Sequence, residues 1–407
     1  MTDYRLPTTD YRVAITGIGL ISPFGRGKDA ALDALRNARS GIRTITSIDA
    51  SALNCRIAGE VPAEAHEGLE KGDRFTRFAL IAAEEAVAQA GALGVAPERV
   101  GVIVGTGLGG QETIDNSYRR LYAENGRIPP TGIPSSMYNA AASAISTKHQ
   151  AKGLSYAVVS ACASSAHAIG LAAQAIASGQ ADAMIAGGSD APLTIGIVKA
   201  WEAMRVLAID NDHPESACRP FSADRKGLVL AEGAAILVLE SLDNARRRGA
   251  EILGEILGFG AASDAGHVTD PSADGAARAM SLALASAALN AEGIGYINAH
   301  GTATRANDPI ETTAIKQVLG ARIPVSSTKS MHGHAMGASG AIEIACSLLA
   351  LNDGFLPPTL NLDTPDPACD LDYIPNVPRE ARVEAFLSNS FGFGGMNAVV
   401  AVATRYP

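Results

Sequence analysis

From residue 13 to residue 351, short apolar runs rich in valine and isoleucine alternate with alanine-rich stretches of helical length, and this alternation commits the chain to sheets covered by helices. The runs read as strands are Val13–Thr16, Gly101–Val104, Tyr156–Ser160, Ala183–Ala186, Ala235–Leu239, Leu253–Phe259, Tyr296–Ala299 and Pro324–Ser326. Those read as helices are Phe75–Ala90, Ala163–Ala177, Gly275–Leu289, Ile310–Leu319 and Ala338–Leu351. Strand, helix, strand in this order predicts parallel sheets in an α/β protein, and 407 residues with 47% hydrophobic content can bury a sizeable core. No linker rich in proline, serine or charge separates independent domains. The basic run ARRRG ending at Gly249 instead marks a seam between an N-terminal half, 1–250, and a C-terminal half, 251–407.

A formal charge of −9, with no basic stripe of the kind phosphate neutralisation demands, excludes a nucleic-acid binder. Five cysteines at irregular spacing, without a CxxC pair, form neither a disulfide framework nor a zinc site and point to a reducing compartment. The opening MTDYRLPTTDYR carries charge and proline where a signal peptide needs an apolar stretch. No apolar run reaches membrane-spanning length, so a cytoplasmic protein with no membrane partner is expected.

Chemistry begins at Ser160-Ala161-Cys162-Ala163-Ser164-Ser165, where an apolar strand ends in small residues and an alanine-rich helix starts at once. Small neighbours allow the sharp turn, and a helix N-terminus beside Cys162 favours a thiolate through its dipole and offers N–H groups to an oxyanion. Cys55, Cys218, Cys346 and Cys369 have no such setting and read as small apolar core residues. A nucleophilic thiol needs partners close in space, not in sequence. Two distant segments supply them: Tyr296-Ile297-Asn298-Ala299-His300-Gly301-Thr302-Ala303-Thr304, and Ser326 to Ala338 with Lys329, His332 and His334. Each is a strand running into a polar loop of small residues.

This ordered set resembles the β-ketoacyl-acyl-carrier-protein synthases of the thiolase superfamily, particularly the type II elongating enzymes. It runs from Val13-Ala14-Ile15-Thr16-Gly17-Ile18-Gly19 through Gly105-Thr106-Gly107, the Cys162 turn, Arg219-Pro220-Phe221, the His300 segment and Lys329-Ser330-Met331 to Asn389-Ser390-Phe391-Gly392-Phe393-Gly394-Gly395. The resemblance implies a thiolase-like five-layered αβαβα fold of two similar halves, and a Cys-His-His triad at Cys162, His300 and His334 with Lys329 and Glu343 as companions. Cys162 would take an acyl group from a carrier-protein thioester. Malonyl-carrier protein would then lose carbon dioxide, its enolate held by His300 and His334, and attack the acyl-Cys162 carbonyl. The N–H groups of Cys162 and Phe393 would hold the resulting oxyanion, Lys329 would fix His334, and Phe393 between Gly392 and Gly394 would swing as a gate.

By the same resemblance Thr302 and Thr304 hold the pantetheine arm; Leu108, Gly132 and Trp201 stand at the acyl pocket; and Lys71, Arg74, Arg77 and Arg205 form a docking patch for an acidic acyl carrier protein. No metal or organic cofactor is implied, since substrates arrive on phosphopantetheine. A homodimer is implied, with a heterodimer including a chain-length factor as the alternative. Met396 stands where relatives usually carry threonine, and Ala303 replaces a smaller or polar residue. Thr131 and Gly132, in place of bulky aromatics, imply a longer, stiffer or more unsaturated acyl chain, which leaves primary fatty acid synthesis and a specialised polyene or polyketide pathway both open. A coenzyme A-dependent thiolase would need a second catalytic cysteine in place of one histidine, and a chain-length-factor-like subunit would lack the nucleophile, so the filled triad favours a catalyst.

Overall fold

Strands sandwiched between helices bury both faces, which is why the apolar runs are continuous and do not alternate. In the computed structural model, which describes residues 12–68 and 72–405, β1 (Val13–Ser22), β2 (Val100–Gly105) and β4 (Ala183–Asp190) are buried along their whole length. Lys71 and the first eleven residues lie outside the described part, so the docking and targeting expectations attached to them are not tested. Along the main sheet β1, β2 and β4 are joined by β3 (Ser155–Val158), β5 (Gly233–Ser241), β6 (Gly254–Ser263), β7 (Tyr296–Asn298), β8 (Val325–Ser326), β9 (Ala385–Gly392) and β10 (Met396–Thr404), apart from short two-residue strands such as Gly25–Arg26, which pairs with β1.

The strand order is β8-β7-β9-β10-β6-β1-β5-β4-β2-β3. From one edge β3, β2 and β4 run parallel, and β5 and β1 follow antiparallel; from the other edge β8, β7 and β9 run parallel, and β10 and β6 follow antiparallel. The two sets of five thus repeat one pattern and meet where Val13–Ile15 pairs with Gly254–Ile256. The expected parallel pairing is found within β3-β2-β4 and β8-β7-β9, and each set adds two antiparallel strands. Strands β9 and β10 add to those read from the sequence: β9 interrupts its apolar residues with Ser388, Asn389 and Ser390, while Ala398–Ala403 of β10 is a continuous apolar run of the same kind as the others.

Helix α1 (Arg74–Ala90) covers β1, β5 and β4 on the outside, and α3 (Ala140–His149) packs on α1, β2 and β3; α6 (Ala273–Ala287) covers β6, β10 and β9, and α7 (Asn307–Leu319) packs against α6. Between the two strand sets lie α4 (Ser164–Ala177) and α8 (Ser339–Asn352), each in contact with strands of both sets and with the other. The result is five layers, αβαβα. A helix enclosed on both sides is mostly apolar or small, and from Ser339 to Leu348 no residue of α8 is exposed, the one charged residue there, Glu343, being paired with Lys329. Helices α2 (Gln111–Tyr122) and α5 (Ile195–Ala203) lie at the surface and escaped the sequence reading, α2 because it buries only Ser117. Among the described residues no helix is long and apolar enough to cross a membrane.

Candidate active site

The layering brings the first turns of α4 and α8 together. Cys162 sits in the turn between β3 and α4, where Ala161 takes φ +50° and the turn is stapled by Ser164, whose hydroxyl donates to the Ala161 carbonyl at 2.7 Å and accepts the Ser160 N–H at 2.9 Å. The Cys162 sulfur is buried and lies 3.2 Å from His334 Nε2. His334 Nδ1 shares a 2.8 Å hydrogen bond with Ser339 Oγ, and its own N–H donates to Val229 O at 2.7 Å.

His300 enters from the end of β7. Its backbone N–H and that of Gly301 both donate to the Glu311 carboxylate at 2.8 Å, so the first turns of α7 hold the loop in place. The His300 and His334 rings meet edge to face, 5.3 Å between centroids. One ligand atom from each of Cys162, His300 and His334 lies within 4.8 Å of the others. Such a set could ligate a soft divalent ion, but the buried Lys329 cation beside it opposes a second positive charge.

Lys329 is fully buried and paired with the fully buried Glu343. Its ammonium donates to the His300 carbonyl at 2.6 Å and lies 3.4 Å from His300 Nδ1. Its hydrogen bonds thus go to His300, because the turn starting at Lys329 points its side chain toward the end of β7, and its expected electrostatic action on His334 is exerted by charge without a contact. Its charge still reaches both rings. Burial, with the Lys329 charge added, pushes both imidazoles well below their ordinary pKa, so both are neutral at physiological pH. Burial pushes the Cys162 thiol up to about 11, while the Lys329 charge and a hydrogen bond from the Phe393 N–H pull it back. The dipole of α4 acts in the same direction as these two. Burial likewise raises Glu343 to about 7 against the pull of Lys329.

The hairpin between β9 and β10 closes the site. Gly392 lies against the Cys162 turn, where a β-carbon would come within 2.8 Å of the Ser160 carbonyl. Phe393 stacks on Trp201 with ring centroids 5.7 Å apart. Gly394 N–H donates to Val268 O at 2.7 Å, and Asp264 N–H donates to Gly395 O at 3.0 Å. A cavity of about 320 Å³ opens beside the sulfur, lined by Cys162, His300, His334, Phe393, Trp201, Thr302 and Thr304 among others. The two threonine hydroxyls are 2.9 Å apart. Ala303 between them is buried at φ +64°, a conformation easier for glycine, and Met396 is 40% exposed at the start of β10.

Not every expected residue converges here. Leu108 and Gly132 do not line this cavity: Leu108 packs against the cluster of Leu193, Val198 and Met336, and Gly132 is buried at the start of a short helix against Ile128. Arg74 and Arg77 are corrected as docking residues. Arg74 donates from Nε at 2.8 Å to Glu232, a fully buried carboxylate that needs its cation, and Arg77 pairs with Glu112 at 3.0 Å; their side chains are only 11% and 15% exposed. Arg205 is exposed, between the lining residues Met204 and Val206. Two functional-looking carboxylates were missed, Glu311 and Asp190, because acids at a helix start or a strand end carry no local signature of what they will touch.

Residues 10–245 match the family model "Beta-ketoacyl synthase, N-terminal domain", and residues 253–363 match "Beta-ketoacyl synthase, C-terminal domain". The chain is 44% identical over 403 residues to nodulation protein E of Rhizobium sp. (strain N33), covering 96% of this chain and 99% of that protein. It is 44% identical over 411 residues to 3-oxoacyl-[acyl-carrier-protein] synthase 2 of Coxiella burnetii, covering 96% and 98%. The solved structure of the ishigamide ketosynthase/chain length factor superposes with a TM-score of 0.91 at 35% identity, covering 98% of this chain and all of that one. With its five layers and with both halves matched by the family's models, the chain belongs to the beta-ketoacyl synthase family.

Proposed function

We propose that this protein is a 3-oxoacyl-[acyl-carrier-protein] synthase that joins an acyl chain held on Cys162 to malonyl-carrier protein by decarboxylative Claisen condensation. The observation that carries this is the 3.2 Å contact of the Cys162 sulfur with His334 Nε2, beside a second neutral imidazole at the same cavity. In the first step the sulfur attacks the thioester carbonyl and the pantetheine sulfur leaves. The thiol proton ends on that leaving sulfur.

Lys329, which can only donate, faces Nδ1 of His300 and so leaves the proton of that ring on Nε2, and His334 carries its proton on Nε2 when the Ser339 hydroxyl donates to its Nδ1. Two Nε2–H donors in a water-poor site suit the enolate formed when the malonyl carboxyl carbon leaves as carbon dioxide. The enolate carbon then bonds to the acyl carbonyl. The oxyanion is held by the N–H groups of Cys162 and Phe393, and the sulfur leaves as a thiolate and takes up a proton. Phe393 acts as the gate, Thr302 and Thr304 hold the pantetheine arm, and Trp201 faces the acyl chain. No cofactor is needed for these steps. Arg205 is the remaining described residue of the expected docking patch for the carrier protein.

The same reading includes the division at residue 250, supported by the repeated strand order, a cytoplasmic location and a homodimer. The dimer is supported by β3, an edge strand whose Tyr156 and neighbouring Val159 are 41% and 53% exposed, next to exposed Ile133, Met137 and Tyr138. A chain-length factor in place of the second copy is the alternative occupant.

The test is intact mass of the protein and of Cys162→Ala after incubation with acyl-carrier proteins of different chain types, then malonyl-carrier protein. Acylation is expected only with Cys162 present, followed by release as a β-ketoacyl product. Equal acylation of Cys162→Ala, or none by any donor, defeats the reading of this chain as a self-sufficient catalyst.

A further inference from the structure

Asp190 ends β4, fully buried, and was not singled out by any motif. Its four hydrogen-bond donors are neutral. Thr106 Oγ1 and Leu108 N–H donate to Oδ1 at 2.7 and 3.1 Å; Gly107 N–H and Gly337 N–H each donate to Oδ2 at 2.7 Å. Burial pushes the Asp190 carboxyl up to about 6 against the pull of these donors, so at neutral pH it is an acceptor on every side.

The donors come from two separate segments. Residues 106–108 form the loop after β2, and Gly337 lies in the turn that follows His334. The segments touch so closely that a β-carbon on Gly337 would sit 2.3 Å from Gly107 N. His334 is tied on its N-terminal side by its own N–H to Val229 O, and beyond Gly337 the start of α8 is tied to α4 by the Ala341 N–H donating to Ser165 Oγ at 2.9 Å. Asp190 supplies the tie between these two, three residues after the histidine.

We propose that Asp190 is a positioning residue for the condensation: one carboxylate binds the loop 106–108 and the turn behind His334, and so holds His334 Nε2 against the Cys162 sulfur. This rests on the reading of Cys162 and His334 as the reacting pair. A carboxylate is required because each oxygen accepts two hydrogen bonds. Asparagine keeps the shape but turns an NH2 group toward two donors, so either the loop or the turn must move.

The experiment is a comparison of parent and Asp190→Asn in steady-state condensation, in thermal unfolding, and in alkylation of Cys162 by iodoacetamide with His334→Ala as reference. Asp190→Asn is expected to lower kcat about 10- to 100-fold, the range found when groups that orient a reacting ligand are removed. KM for the acyl-carrier protein should stay within about twofold, because the arm-binding threonines lie elsewhere. Its alkylation rate should move from the parent's toward that of His334→Ala. Thr106→Val, which withdraws one donor only, should lose kcat in the same direction by a smaller factor, and decides the matter if Asp190→Asn does not fold. Parental kcat and parental alkylation in a folded Asp190→Asn, or in Thr106→Val when that is the folded variant, overturn the proposal. If the parent itself is not acylated, the functional reading fails separately, and alkylation still judges whether Asp190 sets the Cys162–His334 contact.

Discussion

At Lys329, charge and position pull on the same group. Its ammonium sits 3.4 Å from His300 Nδ1 and depresses both histidines, while Glu343 keeps the charge from standing alone in the core. Removing one partner of a buried pair costs about 3–5 kcal/mol, because the other is left uncompensated. Lys329→Met is therefore expected to unfold more readily and to condense at least about tenfold more slowly. The double variant Lys329→Met/Glu343→Gln should regain stability and stay slow, which thermal unfolding and turnover on one preparation would show. The sign of the pH effect follows from the depressed imidazoles. Neutral rings are the donors, and without the Lys329 charge they protonate at higher pH, so the acid limb of the kcat profile should move upward in Lys329→Met. An unmoved limb would mean that burial alone sets the histidines.

The hairpin of Phe393, Gly394 and Gly395 between β9 and β10 places Phe393 and Gly395 in the wall of the cavity beside Cys162. Gly395 has φ +70°, and a β-carbon there would meet the Asp264 side chain at 2.6 Å, so the hairpin conformation and its tie to the 264–271 loop both depend on glycine. Gly395→Ala should cost about 1 kcal/mol or more and slow acylation of Cys162. The chain's single tryptophan gives a direct readout, since Trp201 is stacked on Phe393. Loading a long acyl chain onto Cys162 should change Trp201 emission, and unchanged emission on full acylation would leave Phe393 without a gating role. This element also shows where reading the sequence ran short. Its glycines announce a turn, but β9 breaks its apolar residues with Ser388, Asn389 and Ser390, so that only its pairing with β7 and β10 marks it as a strand, whereas the valine-rich β10 is a run the sequence does carry.

For the whole molecule, the exposed edge at β3 is the feature that a single copy leaves unresolved, because an edge strand beside exposed apolar side chains invites pairing. Tyr156→Asp together with Val159→Asp should convert a dimer to a monomer in light scattering. A parent that is already monomeric would favour a missing partner subunit over a second copy. The sequence by itself determined that strands alternate with covering helices, and singled out Cys162, His300 and the 326–338 loop, because strand-then-small-loop-then-helix is a local pattern that places small and polar side chains at strand ends. The five layers, the choice of His334, and Lys329 and Glu343 follow from the resemblance of the ordered motifs to the family. Tertiary structure alone decided that Lys329 grips His300, that Arg74 serves Glu232 across 158 residues of chain, that the strand sets are mixed, and that Asp190 and Glu311 hold the loops of the site. Those are contacts of buried charge. Which donor reaches a carboxylate in the core depends on how the layers stack around it, and no stretch of neighbouring residues encodes that.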